Sequence, residues 1–142
     1  MGSQHILVSG DDDGVVKFWD LRQQEAIAEY KEHGDYITDL AACPEKKEVL
    51  ASSGDGRITA MSFRSKKHKE TLQSEDEPLS LAIIKGGKNV IAGTQEGMLD
   101  IYKWGEWDDC LDRVTGHPQS VDTIVALDDS TICTGSADGL IR

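Results

Sequence analysis

The chain has 142 residues, with 26 acidic and 15 basic side chains and a formal net charge of −11. This charge argues against a general nucleic-acid binder, because such proteins gain affinity by neutralising phosphates. No apolar run approaches the roughly 20 residues that a membrane-spanning helix needs, so we expect no membrane partner. The three cysteines (Cys43, Cys110 and Cys133) lie far apart without metal-ligand spacing, which is typical of a reducing compartment such as the cytosol or nucleus.

The first predicted element is a β-hairpin. Its first strand includes Ile6–Val8, because bulky and β-branched residues fit a pleated, half-buried surface. Asp13 and Gly14 are a strong turn signal, since glycine tolerates the positive φ that tight hairpin turns require. In the second strand Val16 and Phe18 fall on one face, which is therefore apolar. A lone hairpin is not stable, so more sheet must cover that face.

The hairpin pattern recurs along the chain at nearly constant spacing. Four acidic-glycine pairs follow similar apolar strands, and their glycines are 42, 41 and 42 residues apart: Asp13-Gly14, Asp55-Gly56, Glu96-Gly97 and Asp138-Gly139. A further short strand precedes each of the last three hairpins. A weaker fourth strand follows each of the first three hairpins: Ala26–Tyr30, Lys69–Leu72 and Leu111–Val114. Four strands per period of about 40–45 residues are typical of a propeller blade.

We therefore predict an all-β fold, a partial β-propeller of consecutive four-stranded antiparallel blades. The chain would hold about three and a half of them, in repeats at approximately 1–32 (partial), 33–74, 75–116 and 117–142 (partial). A ring of about seven such blades needs roughly 300 residues. We therefore expect residues 1–142 to be one part of a longer propeller.

Three patterns suggest other chemistry, but each conflicts with the repeat. The acidic run after Ser9 has partial calcium-loop spacing, yet serine occupies the first ligand position and strands rather than helices flank the run. Gly86–Asn89 lacks the upstream glycine and the following Ser/Thr of a phosphate-binding loop. His33 near Asp35 has the composition of a hydrolase triad, but the repeat gives His33 a structural place. We predict no catalytic residue, no cofactor, no metal and no enzymatic activity.

The repeated unit resembles the WD-repeat β-propeller family, on Trp19-Asp20, Gly116-His117 and the Ser/Thr-rich strands before each Asp-Gly turn. The resemblance implies a buried polar network in each blade, which links a histidine, a strand hydroxyl, the turn aspartate and the third-strand tryptophan. The network positions that this chain fills are Asp13, Trp19, His33, Asp55, His117 and Asp138. No blade has the complete set, so we expect apolar packing between sheets to supply most of the stability.

Two longer sequence segments point to one subfamily within this family. Asp112–Pro118 and Thr134–Gly139 are similar to a subfamily formed by WD repeat-containing protein 55 and its fungal counterparts. That resemblance implies a scaffold of the nucleus or nucleolus, needed for ribosomal RNA maturation and ribosome biogenesis, whose partners are pre-ribosomal assembly factors. The residues give no indication of direct RNA contact.

The segment Trp19-Asp20-Leu21-Arg22 offers an alternative function. It fits the Trp-Asp-any-Arg motif by which some propellers dock onto the damaged-DNA-binding adaptor of cullin ubiquitin ligases. The resemblance implies that Trp19, Asp20 and Arg22 bind a partner and that the protein is a substrate receptor; the alternative is a solvated turn. Arg22 directly follows the strand that contains Trp19, which is the third strand of its blade. We therefore expect its guanidinium to project from a loop face. The same face would receive two further runs of charged and aromatic residues: 64–69 and 104–109.

Overall fold

The computed structural model describes residues 5–62, 68–106 and 110–142, and nearly all of its regular structure is antiparallel strand. The strands form four consecutive sheets, here named blades 1 to 4. Blade 1 contains β1 (Ile6–Gly10), β2 (Val16–Asp20) and β3 (Ala26–Tyr30). Blade 2 contains β4 (Ile37–Cys43), β5 (Glu48–Ser53), β6 (Arg57–Ser62) and β7 (His68–Gln73). Blade 3 contains β8 (Pro78–Ile84), β9 (Asn89–Thr94), β10 (Met98–Lys103) and β11 (Asp112–Thr115), and blade 4 contains β12 (Val121–Ala126) and β13 (Ile132–Ser136).

This architecture confirms the predicted all-β fold of consecutive antiparallel blades. Blades 2 and 3 have four strands each, in chain order across the sheet. The weaker fourth strands are present as β3, β7 and β11, within about two residues of their predicted bounds. A 3-10 turn at Lys85–Gly87 joins β8 to β9. Across the described ranges, the structure contains no helix that is both long and apolar enough to cross a membrane.

The glycines of the four acidic-glycine pairs all have positive φ, between +80° and +87°. Two of them also lie directly against the next blade. A Cβ on Gly14 would come within 2.5 Å of the carbonyl oxygens of His33 and Asp35, and one on Gly97 would collide with the carbonyl oxygens of His117 and Gln119. At these two turns glycine is required both by the backbone conformation and by the close approach of the following loop.

Apolar side chains fill the three spaces between neighbouring blades. Because side chains alternate along a strand, β5 and β6 bury one set of residues toward blade 1 and another toward blade 3. The layer between blades 1 and 2 contains Val16, Phe18, Tyr30, Val49, Ala51 and Met61. The layer between blades 2 and 3 contains Leu50, Ile58, Ala60, Leu72, Leu81, Val90, Ala92 and Tyr102. The layer between blades 3 and 4 contains Ala82, Ile91, Val121 and Ile124.

Hydroxyl groups tie the innermost strands of successive blades together. Thr38 Oγ1 on β4 donates to the carbonyl oxygen of Pro78 on β8 at 2.7 Å. Ser80 Oγ on β8 repeats this bond to the carbonyl oxygen of Val121 on β12 at 3.0 Å. The Leu81 N–H also donates to Asp39 Oδ2 at 2.8 Å. These bonds satisfy backbone groups at strand edges that would otherwise be left unpaired.

Blade 2 keeps half of the polar network that the family resemblance implies. His33 Nδ1 lies 3.4 Å from Asp55 Oδ1, and the same carboxylate accepts the backbone N–H groups of Gly34 and Arg57 at 2.9 and 2.8 Å. The imidazole is fully buried, but its Nε2 has no hydrogen-bond partner among the described residues. The repeat explains this, since Ala51 occupies the strand position that Ser9 occupies in blade 1.

Blade 4 uses a different connection between the same positions. His117 Nε2 lies 2.6 Å from Thr134 Oγ1. Thr134 thus supplies the strand hydroxyl of the network in this blade. Asp138 is joined to the imidazole through Arg142, whose Nη1 lies 2.8 Å from His117 Nδ1 and 2.9 Å from Asp138 Oδ2. Because the guanidinium can only donate, His117 Nδ1 is the acceptor and Nε2 carries the proton. The aspartate therefore orients this histidine indirectly.

In blade 1 the hydroxyl–tryptophan half of the network is present. Trp19 Nε1 donates to Ser9 Oγ at 2.9 Å. Asp13 is exposed at the turn, and its backbone N–H donates to Asp11 Oδ1 at 3.0 Å, which also accepts the Val15 N–H. The buried role that the resemblance implies for Asp13 therefore differs from its observed place, because Asp11 organises this turn.

We expect Gly97→Ala to destabilise the protein more than Gly86→Ala. Both glycines have positive φ, at +87° and +62°, so each substitution strains the backbone. Only at position 97 would the new Cβ also collide with carbonyl oxygens of the next blade. Chemical denaturation should therefore show an additional loss of about 1–3 kcal/mol for Gly97→Ala. Equal losses for the two variants would show that the blades can separate at this turn without cost.

We expect His33 to make stability depend on pH. Burial lowers the pKa of its imidazole below the ordinary value, although Asp55 opposes the shift. The unfolded chain therefore binds more protons, and the stability that is complete above about pH 6.5 is lost as pH falls toward the folded-state pKa. Denaturation at several pH values between 7.5 and 5 should show this loss in the wild type and a flatter profile in His33→Gln. Met61→Leu, a non-titrating change in the apolar layer between blades 1 and 2, should keep the wild-type profile. Equal slopes for His33→Gln and wild type would contradict the assignment.

Candidate interaction surfaces

The antiparallel topology places the loops on two opposite faces of the blades. The face named here the glycine face carries the hairpin turns with Gly14, Gly56 and Gly97 and the connections that enter β4, β8 and β12. Backbone hydrogen bonds hold its loops together, including Gly54 N to Tyr36 O at 3.0 Å. The opposite face, named the Arg22 face, carries the β2–β3 turn and the connections β4–β5, β8–β9 and β12–β13.

Arg22 lies on the Arg22 face in a fixed pairing with Asp20. Its Nε and Nη2 donate to the two carboxylate oxygens at 2.9 and 2.7 Å, and its backbone N–H donates to Oδ1 at 2.9 Å. The Arg22 side chain is 65% exposed, whereas that of Asp20 is 7% exposed. Hydrogen bonds from Arg22 lower the pKa of Asp20 to about 2, so the pair stays ionised at ordinary pH. The buried carboxylate thus holds an exposed guanidinium whose remaining N–H groups face solvent.

Trp19 does not share the surface with Arg22. Its indole is half-buried and bonded to Ser9, and Lys17 Nζ lies 5.9 Å from the ring centroid. The residue after Asp20, Leu21, is 60% exposed and stands beside Arg22 on the turn. Of the three predicted partner-binding residues, the structure therefore brings Asp20 and Arg22 together and gives Trp19 a place within the blade.

Only part of the two predicted runs of charged and aromatic residues, 64–69 and 104–109, can be placed. Much of both runs lies outside the described residues, in 63–67 and 107–109. Trp104 is half-buried, and Lys46 Nζ from the β4–β5 turn lies 5.1 Å from its ring centroid. Lys103 and Glu106 form an exposed ion pair at 2.8 Å. Trp104 is therefore in contact with the preceding blade and is not a free aromatic anchor.

The glycine face is rich in carboxylates. Its exposed acidic side chains are Asp11, Asp12, Asp13, Asp35, Glu75 and Glu96. Tyr36, which is 39% exposed, donates its hydroxyl to Glu77 of the next blade. The Arg22 face is mixed in sign, since its connections carry both exposed cations and exposed carboxylates: Arg22, Lys85, Lys88, Glu45, Asp128 and Asp129.

Blade 3 replaces the polar network by ionic bonds. Asp100 on β10 is completely buried, and Arg113 on β11 reaches it through Nε and Nη2 at 2.6 and 3.0 Å. Arg113 Nη1 also donates to Glu75 Oε2 at 2.9 Å, and the hydrogen bonds to Asp100 raise the pKa of the guanidinium further. Tyr102 stands at the tryptophan position, where burial raises the pKa of its hydroxyl to about 12.

A cavity of about 330 Å³ adjoins these ionic bonds at the boundary of blades 2 and 3. It is lined by Leu72, Gln73, Glu75, Tyr102, Cys110, Asp112 and Arg113. Glu75 occupies the place of His33, but its side chain is 83% exposed and turned toward Arg113, whereas the imidazole of His33 is fully buried. Neither Asp100 nor Arg113 was predicted from the sequence as a site residue. The available signal was the aspartate at a strand position where the other repeats carry lysine, threonine and arginine.

Comparison with known proteins supports this reading of the repeats. A model of the WD40 family (WD domain, G-beta repeat) matches residues 2–20, 24–59 and 108–142. These segments cover parts of all four repeats inferred from the glycine spacing. The repeat of blade 3, whose polar network is replaced by ionic bonds, contributes only its last segment to the match.

Curated relatives match nearly the whole chain. WD repeat-containing protein JIP5 of Laccaria bicolor is 46% identical over 96% of this chain and 36% of its own length. WD repeat-containing protein 55 of Arabidopsis thaliana is 42% identical over 98% of this chain and 40% of its own length, and that of Mus musculus is 36% identical over 98% and 36%. The chain thus spans well under half the length of these relatives. With a family model matched over more than half of its residues, and consecutive antiparallel blades in its structure, the chain belongs to the WD40 repeat family.

Proposed function

We propose that this protein is a non-enzymatic interaction scaffold that acts in ribosomal RNA maturation and ribosome biogenesis, in the nucleus or nucleolus. The proposal is supported by 34–46% identity, over nearly the whole chain, to proteins named JIP5 and WD repeat-containing protein 55. Repeats of this family generally mediate protein–protein interactions. The ribosomal role follows from the resemblance of the strings at Asp112–Pro118 and Thr134–Gly139 to that subfamily.

The surface suits protein partners better than bare RNA. Exposed carboxylates dominate the glycine face, and the net charge of the chain is −11. Such a surface repels phosphate and attracts basic protein segments, and it steers their approach over distances of about a Debye length. The loops that carry these charges are held on stacked sheets, which is how scaffolds present binding residues in a fixed arrangement. Pre-ribosomal assembly factors are the partners that this proposal implies.

One observation favours a second candidate function, that of a substrate receptor for a cullin-type ubiquitin ligase. Arg22 is exposed on a loop face, and the buried carboxylate of Asp20 holds its guanidinium by two hydrogen bonds. A fixed donor fork loses little conformational entropy when it meets a carboxylate or carbonyl of a partner. The exposed Leu21 beside it would add apolar contact.

We expect depletion of the full-length protein to cause precursors of large-subunit ribosomal RNA to accumulate before bulk translation falls. The reason is that loss of a scaffold stalls assembly upstream of mature ribosomes. Pulse labelling and northern blots of precursor and mature RNA after depletion measure the effect, and re-expression of the wild type should restore the ratios. Normal precursor ratios after complete depletion would overturn the ribosomal role.

We expect Arg22→Ala in the full-length protein to lose adaptor pull-down without a change in the thermal melt, if Arg22 docks onto the ligase adaptor. Truncating a desolvated anchor costs a few kcal/mol of binding, whereas a residue on a wet rim costs little. Lys88→Ala is the matched control, because Lys88 is an exposed cation on the same face in another blade. Unchanged pull-down in Arg22→Ala, or no adaptor bound by the wild type, removes the ligase function.

A further inference from the structure

The cavity between blades 2 and 3 has no role in the proposals above. Its lining includes Glu75, which stands at the repeat position of His33 but has an exposed side chain, whereas the imidazole of His33 is fully buried. We propose that this cavity binds an arginine side chain of a protein partner, as an anchor for a basic segment. The inference rests on the proposed scaffold function and names the chemistry of one partner contact.

The charge balance of the cavity selects a cation. The positive charge of Arg113 is matched by the fully buried carboxylate of Asp100, which accepts two of its hydrogen bonds. Glu75 takes one further bond from Arg113, and Asp112 uses Oδ1 to accept the backbone N–H of Arg113 at 2.8 Å. Among the described residues, Asp100, Glu75 and Asp112 thus carry three negative charges against the one positive charge of Arg113, so two negative charges remain for a ligand to neutralise. An anionic ligand would meet Glu75 and Asp112 at the wall.

The shape and the apolar lining suit an arginine stem. Leu72 and Tyr102 are buried side chains that also line the cavity, and they offer an apolar wall for methylene groups. Glu75 and Asp112 present carboxylate oxygens at its exposed rim. An arginine that enters with its stem against the apolar wall can place its planar donor fork between the two acids. The volume of about 330 Å³ is at the lower end of the range for ligand pockets.

Cys110 gives a direct readout of occupancy, because it is exposed and lines the cavity. The experiment labels the full-length protein with N-ethylmaleimide at pH 8, since burial raises the pKa of this thiol, and quantifies labelling at Cys110 by peptide mass spectrometry. The probe is the peptide acetyl-Ala-Arg-Ala-amide at millimolar concentration and low salt. The matched probe carries citrulline, which keeps the shape of arginine without its charge. We expect the arginine peptide to slow labelling of Cys110 severalfold and the citrulline peptide to leave it unchanged.

Two double variants test whether the protection of Cys110 from labelling depends on Glu75 and Asp112. Glu75→Gln combined with Asp112→Asn should abolish protection, while Arg113 keeps its bonds to Asp100 and the fold is maintained. Asp12→Asn combined with Asp13→Asn removes the same charge from blade 1 and should leave protection intact. Absence of protection, equal protection by both peptides, or protection that survives the first double variant would each overturn the proposal. Because the peptide assay is independent of ribosomal RNA, its failure with abnormal precursors after depletion would remove only this site.

Discussion

The contact between each sheet and the next is the interaction on which the rest of this structure depends. Blade 2 shows it most clearly, because alternate residues of β5 and β6 bury Val49 and Met61 toward blade 1 and Leu50 and Ile58 toward blade 3. The same stacking brings the loop after β3 onto the turn at Gly14, so close that a Cβ cannot be accommodated. Sheets that pack this tightly hold their loops in fixed relative positions, as a scaffold requires.

The buried polar groups vary because this apolar packing does not depend on them. Blade 1 keeps the tryptophan and the hydroxyl, blade 2 keeps the histidine and the aspartate, and blade 4 inserts Arg142 between His117 and Asp138. In blade 3 a buried carboxylate, Asp100, is satisfied by Arg113 instead. Each change keeps most buried polar atoms bonded, and in blade 3 the ionic bonds adjoin a cavity that the exposed Glu75 also lines.

The proposed function depends on charged loop residues, and the packed sheets hold these loops in position. On the Arg22 face, a carboxylate inside the blade orients an exposed guanidinium, so a residue that would otherwise be a solvated turn cation has a defined direction. On the glycine face, the exposed side chains are rich in carboxylates, and one of them, Glu75, also lines the cavity of blade 3. The glycine face therefore favours basic partners, whereas the Arg22 face carries exposed charges of both signs.

The repeat, the strand order and the turns could all be predicted from the amino-acid sequence alone, because glycine spacing and two-residue alternation are local consequences of backbone geometry. It also located Arg22 at the end of a third strand. Two other features became clear from the folded chain: Asp11 rather than Asp13 organises the first turn, and Trp19 is a blade residue. The ion pair of Asp100 with Arg113 and the cavity beside it were likewise beyond prediction, because they depend on which side chains meet across strands and blades, and no local pattern of residues encodes those distances.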